Sequence, residues 1–150
     1  MKIYIIDTGS ANLNSVVQAF KRLGYEAVIS SDTDKMKDAD RLVLPGVGTA
    51  CAVMDGIEKF KLYDFILNTK KPLLGICLGM QIQATDSSEV PLNVAGEVIK
   101  CLDIVPSHVV KIPDTGLRLP HMGWNTVHHT DHPLFDGIKP VSYTHLTLPT

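Results

Sequence analysis

A chain of 150 residues suits one domain that buries roughly two thirds of its unfolded surface. With 45% hydrophobic residues, 20% charged residues and a formal net charge of −2, the composition excludes a disordered tail and offers no long Lys/Arg cluster for a nucleic acid or an anionic membrane. Cys51, Cys77 and Cys101 are widely spaced with no Cys-x-x-Cys pair, residues 2–6 are too short for a secretory signal and no stretch approaches membrane-spanning length, so a reduced, cytoplasmic chain is expected.

Residues 2–6 form an Ile-rich run that predicts a strand buried on both faces, closed by a turn at Asp7-Thr8-Gly9-Ser10. The apolar period then becomes helical at Leu13, Val16, Val17, Phe20 and Leu23, and Gly24 stands where a C-cap belongs. Residues 26–29 and 41–44 predict the second and third strands, separated by an Asp-rich stretch with room for a short helix. Residues 49–67 predict one or two helices broken near Lys61, and residues 72–76 a fourth strand. Strands alternating with helices of this length imply right-handed crossovers and a parallel sheet covered on both faces. Ligands of such sheets bind outside the carboxyl ends of the strands, where Asp7, residues 46–48 and Cys77 all fall. Beyond residue 85 the pattern weakens to a loop over 87–93, short antiparallel strands within 98–110 and a turn over 113–116.

The fourth strand runs into Gly75-Ile76-Cys77-Leu78-Gly79. A Gly-x-nucleophile-x-Gly segment between a strand and a helix is a nucleophile elbow, with the central residue in a strained backbone conformation. Cys77 is then a nucleophile whose thiolate is favoured by helix N-terminal amides, and Leu78 N–H an oxyanion donor. A small cysteine packed in an apolar strand fits the same residues. Pro45-Gly46-Val47-Gly48 lacks the spacing of a nucleotide loop. At the end of a neighbouring strand, Gly46, Val47 and Gly48 are instead candidates for the second oxyanion donor.

Together these segments, with Gln81 and the hexapeptide Pro120-His121-Met122-Gly123-Trp124-Asn125, resemble the glutaminase subunits of imidazole glycerol phosphate synthase, a branch of the class I glutamine amidotransferases. Asp7-Thr8-Gly9 with Ala11-Asn12-Leu13 matches the same family. The resemblance implies a flavodoxin-like α/β fold, L-glutamine as substrate, no cofactor or metal, and ammonia passed to a cyclase subunit in a heterodimer. It also implies that Gln81 helps hold the substrate and that His121, Met122 and Trp124 face the cyclase. Gln81 as a helix-solvating residue and Trp124 as core remain open.

The family's general base lies in a C-terminal His-x-Glu pair. This chain has no such pair, and its last glutamate is Glu97. His129-Thr130-Asp131 has the spacing, but residues 128–133 read as a polar turn. His128, His129 and His132 lack the fourth ligand or fixed spacing of a metal site. Residues 1–140 are expected to be the front three quarters of an amidotransferase domain, with the sheet incomplete at its C-terminal side. Residues 141–150 depart from the family pattern and resemble a translated adapter, so they are expected to be a non-native tail; a native chain with a different tail is the alternative. Negligible glutaminase turnover follows for these 150 residues. A non-catalytic docking subunit and another class I amidotransferase are the competing readings.

Overall fold

The computed structural model describes residues 1–90, 98–114, 116, 122–138 and 141–147, with backbone alone for 122–125, 127 and 141–147. It divides into two units, Met1–Lys111 and Ile112–Thr150.

The first unit is built on a parallel sheet of β1 (Ile3–Ile6), β2 (Ala27–Ser30), β3 (Arg41–Gly46) and β4 (Leu73–Cys77), in the order β2-β1-β3-β4. Between them run α1 (Leu13–Arg22), α2 (Thr33–Met36), and the pair α3 (Ala50–Lys59) and α4 (Tyr63–Asn68). The expected elements are therefore present, including the break near Lys61, which adopts φ +56° between α3 and α4. Side-chain caps start three of these helices: Asn12 accepts from Ser15 N, Asp32 from Asp34 and Lys35 N, and Thr49 from Ala52 N, each satisfying an amide that the first turn leaves unpaired. Gly24 ends α1 at φ +81°.

Period-two alternation sorts the strand residues onto two faces. Ile3, Ile5 and Val43 pack with Leu13, Val16, Val17 and Phe20 of α1. Ile6, Leu42 and Leu44 pack on the other face with Val53, Ile57 and Ile66. Helices thus lie on both faces, as expected, but the coverage is uneven. α1 spans only the middle of its face, so Ile29 on β2 remains 36% exposed and Leu74 and Ile76 on β4 47% and 36%. β1 and β3 are covered on both sides, whereas the two outer strands are covered less fully on the α1 side.

After Cys77 comes the single turn α5 (Leu78–Gln81), followed by β5 (Asp86–Ser87), β6 (Ile99–Lys100) and β7 (His108–Val109) in the order β6-β5-β7. The expectation of antiparallel pieces needs correction. β5 pairs antiparallel with β6 but parallel with β7, because the chain reverses twice and returns along the other edge of β5. The expected loop over 87–93 is described only as far as residue 90, whereas the turn over 113–116 is seen in part, with Asp114 accepting from Gly116 N at 2.9 Å. In the second unit, β8 (Met122–His128) and β9 (Val141–Thr147) form an antiparallel pair, with a 3-10 turn over Pro133–Phe135 between them. No helix among the described residues is long and apolar enough to cross a membrane.

Candidate active site at the carboxyl edge of the sheet

Cys77 is the last residue of β4 and the N-cap of α5, with φ +55° and ψ −119°, and its side chain is exposed. A non-glycine residue held at positive φ costs about 1–2 kcal/mol. The surrounding backbone enforces this conformation. A Cβ at Gly79 would lie 1.8 Å from Leu44 O, and one at Gly75 2.6 Å from Met80 Cα. Only glycines allow β3, β4 and α5 to approach so closely. The elbow is present, and a packed, buried cysteine is not what position 77 holds.

Leu78 N–H is the first amide of α5, beside the sulfur's own residue, while the Leu78 side chain is 4% exposed and anchors the turn in the core. With four residues, α5 offers the field of one turn, so local amides rather than a long macrodipole act on Cys77. Among the described residues none hydrogen-bonds to Cys77 Sγ.

Gly46 is the register partner of Cys77 across β3 and β4, which brings the loop 46–48 beside Cys77. Gly48 adopts φ +92° with open space around it. Val47 N–H donates to Ser10 O at 2.9 Å, so it is engaged by the loop after β1 rather than directed to a ligand. That neighbouring loop is itself fixed: Asp7 Oδ1 accepts from Gly9 N at 2.8 Å, and the hydroxyls of Thr8 and Ser10 lie 3.2 Å apart. β1, β3 and β4 are adjacent, so the three loops named from the sequence do line one edge.

Gln81 closes α5, is half-buried, and its carbonyl accepts from Ala84 N at 3.0 Å. Sequence reasoning missed its neighbour Gln83, whose Nε2 donates to Gly79 O at 3.0 Å and braces the elbow. The four-residue spacing from Gly79 is the signal that would have found it. It also missed Gly56, where a Cβ would lie 1.9 Å from Thr8 O, so α3 abuts the β1 loop directly. Glu89 was missed as well. Its Oε2 accepts from Ala50 N at 3.2 Å, a cap on α3 just past Gly48, and no local signal marks a contact across 39 positions.

Three of the described histidines, His108, His129 and His132, have partners of their own. His108 Nδ1 lies 2.9 and 3.0 Å from the two carboxylate oxygens of Asp86. His132 Nδ1 accepts from Leu134 N at 3.1 Å, and His129 stacks on Phe135 with centroids 4.4 Å apart. No group of three or more His, Cys, Asp or Glu among the described residues could hold a metal ion. His121 lies outside the described residues, and Met122 and Trp124 are placed on β8 by their backbone alone. At Cys51 and Cys101 burial pushes the thiol up, with Asp55 adding to the effect at Cys51 and Asp86 at Cys101.

The sequence pattern described as "Glutamine amidotransferase class-I" matches residues 4–147. The chain is 49% identical over 144 residues to the imidazole glycerol phosphate synthase subunit HisH of Photorhabdus laumondii, covering 95% of this chain and 71% of that protein. It is 51% identical over 140 residues to the HisH subunit of Mannheimia succiniciproducens, covering 93% and 69%, and 44% identical over 144 residues to that of Shewanella loihica, covering 94% and 64%. The chain thus spans about two thirds of the length of these curated relatives. A crystal structure of a glutamine amidotransferase superposes with a TM-score of 0.68 at 15% identity, over 95% of this chain and 69% of that one, which supports the fold. With the elbow at Cys77 and these matches along nearly its whole length, the chain belongs to the class I glutamine amidotransferase family, within the group of HisH subunits of imidazole glycerol phosphate synthase.

Proposed function

We propose that the chain is the glutamine-hydrolysing subunit of a cytoplasmic imidazole glycerol phosphate synthase heterodimer, delivering ammonia to its cyclase partner for histidine biosynthesis. The observation that carries this reading is Cys77 held at φ +55° on an exposed turn, between two glycines that admit no side chain. An amide carbon is a poor electrophile. Attack by the Cys77 thiolate forms the Sγ–C bond and a tetrahedral oxyanion, whose collapse expels ammonia and leaves a thioester. Water then attacks the thioester through a second oxyanion, releasing glutamate and the thiol.

Leu78 N–H is one donor to each oxyanion, and the loop of Gly46, Val47 and Gly48 supplies the other. Each such donor is worth roughly 3 kcal/mol. Val47 serves only if its bond to Ser10 O is exchanged for the oxyanion. Gln81 holds the substrate, and His121, Met122 and Trp124 face the cyclase. Residues 1–140 form the amidotransferase portion and 141–150 a non-native tail. Both steps need a proton carrier, and with no His-x-Glu pair in these 150 residues the proposal includes negligible turnover by them alone. The same observation favours a second reading, a docking subunit that keeps the partner surface without catalysis.

Labelling with a glutamine-like diazoketone, followed by peptide mass spectrometry, tests the proposal. Modification confined to Cys77, slowed by L-glutamine and absent from Cys77→Ala, supports a glutamine site. Equal modification of Cys51, or no protection by glutamine, would leave the docking reading in its place.

A further inference from the structure

At the opposite edge of the sheet from Cys77, a cavity of about 520 Å³ opens between α2, α4 and the segment leading into β4. Its lining includes Lys37, Lys61, Lys70 and Lys71 and one acidic residue, Asp64, in a chain whose net charge is −2. We propose that this cavity binds a small phosphate ester, with Lys61 and Lys70 as its principal cationic contacts and Lys71 assisting.

The lysines are distributed unequally among existing partners. Lys37 is claimed by Asp34 at 2.6 Å, and Lys71 is within electrostatic reach of Asp40. Among the described residues neither Lys61 nor Lys70 forms an ion pair. Lys61 also occupies a backbone position that ordinarily selects glycine: it ends α3 at φ +56°, with Lys61 N bonded to Glu58 O and Leu62 N to Ile57 O. This left-handed turn is the ordinary end of α3, a position glycine fits best, and it brings Lys61 to the lining of the cavity.

The rest of the wall suits an organic phosphate rather than a bare cation or a metal. Thr69 Oγ1 already accepts from Lys71 N at 3.2 Å, which leaves its O–H as a donor. Met36 and Phe65 contribute apolar surface for the body of the ester. The volume falls in the range of ordinary small-ligand sites, about 300–1,000 Å³. Lys61, Lys70 and Lys71 flank α4, and the fold brings Lys37 at the end of α2 to the same cavity.

The test titrates the isotopically labelled 150-residue chain with adenosine monophosphate, with adenosine as the uncharged comparator, and reads backbone amide shifts. Saturable shifts over residues 61–71 with the monophosphate and none with adenosine are expected. The double variant Lys61→Gly/Lys70→Gln should weaken binding about tenfold, the loss of a charge-assisted contact. Lys61→Gly relieves backbone strain, so the variant's thermal transition should be no lower than that of the parent, separating lost binding from lost folding. Lys100→Gln, on β6, should bind as the parent does. No saturable response, an equal response to adenosine, or undiminished binding by the double variant would each overturn the proposal.

Discussion

Gly46 on β3 and Cys77 on β4 are register partners, and backbone closes the space beside them: a Cβ at position 46 would lie 2.8 Å from Gly79 N and 3.1 Å from Leu78 Cβ. The strained cysteine is therefore held from below by a sheet contact that only glycines permit. Its conformation is a property of the β3–β4–α5 packing rather than of the turn alone.

Gly79→Ala should consequently destabilise the chain by about 2–4 kcal/mol, because the new methyl meets a backbone carbonyl that cannot rotate away. Gly48→Ala meets open space and should cost only its positive φ, about 1–2 kcal/mol. Urea unfolding midpoints order the two. A Gly79→Ala midpoint equal to that of the parent would show that β3 and α5 are not packed as closely as 1.8 Å implies.

Thiol reactivity should separate the three cysteines. Cys77 is exposed and Cys101 buried, while burial raises the pKa of Cys51 and Cys101 and the carboxylates of Asp55 and Asp86 add to this. At neutral pH iodoacetamide should modify Cys77 first, and Cys77→Ser should remove the fast phase. Raising the pH should accelerate Cys51 and Cys101 only above the usual thiol range. A fast phase that survives Cys77→Ser would contradict this order.

Acid sensitivity should appear at α2. Asp32 is held below its ordinary value chiefly by the Lys35 backbone N–H, with Asp34 N–H and the Lys35 charge helping against desolvation. A depressed folded-state pKa means stabilisation that is complete above the unfolded carboxylate value and lost as pH falls through the folded one. Asp32→Ala should thus lower the thermal midpoint near pH 7, and the difference from the parent should vanish under strongly acidic conditions. A gap that stays constant with pH would mean that the cap acts without its charge.

Much of this arrangement was legible in the chain itself. Alternating apolar runs located all four parallel strands, and the glycines at 75 and 79 located the elbow, because close packing and a sharp turn leave a local mark. Contacts between distant segments left none. Nothing near Glu89 announces that it caps α3, and nothing near Val47 announces that its N–H is taken by Ser10 O. The direction of β7 was misread because strands of two residues carry too little pattern to show which edge they join. The uneven cover of the sheet was equally hidden, since the hydrophobicity of Leu74 and Ile76 reads the same whether or not a helix lies over them.

That cover has a consequence for association. Among the described residues β4 pairs only with β3, so its outer backbone edge is open. Leu74 and Ile76 are the register partners of Val43 and Pro45 and point to the α1 side. There a groove of about 330 Å³ runs between Ile76 and the α1 residues Val16, Ala19 and Phe20. An open strand edge beside exposed apolar side chains is a template for pairing with another copy. The parent chain should therefore self-associate as concentration rises in sedimentation velocity, and the double substitution Leu74→Lys/Ile76→Lys should suppress this. Both side chains are already partly in water, so the unfolding free energy should change by no more than about 1 kcal/mol. A parent that stays monomeric through a reversible, cooperative thermal transition would show that the edge is inert. Suppressed association together with collapsed stability would show instead that these two residues belong to the core.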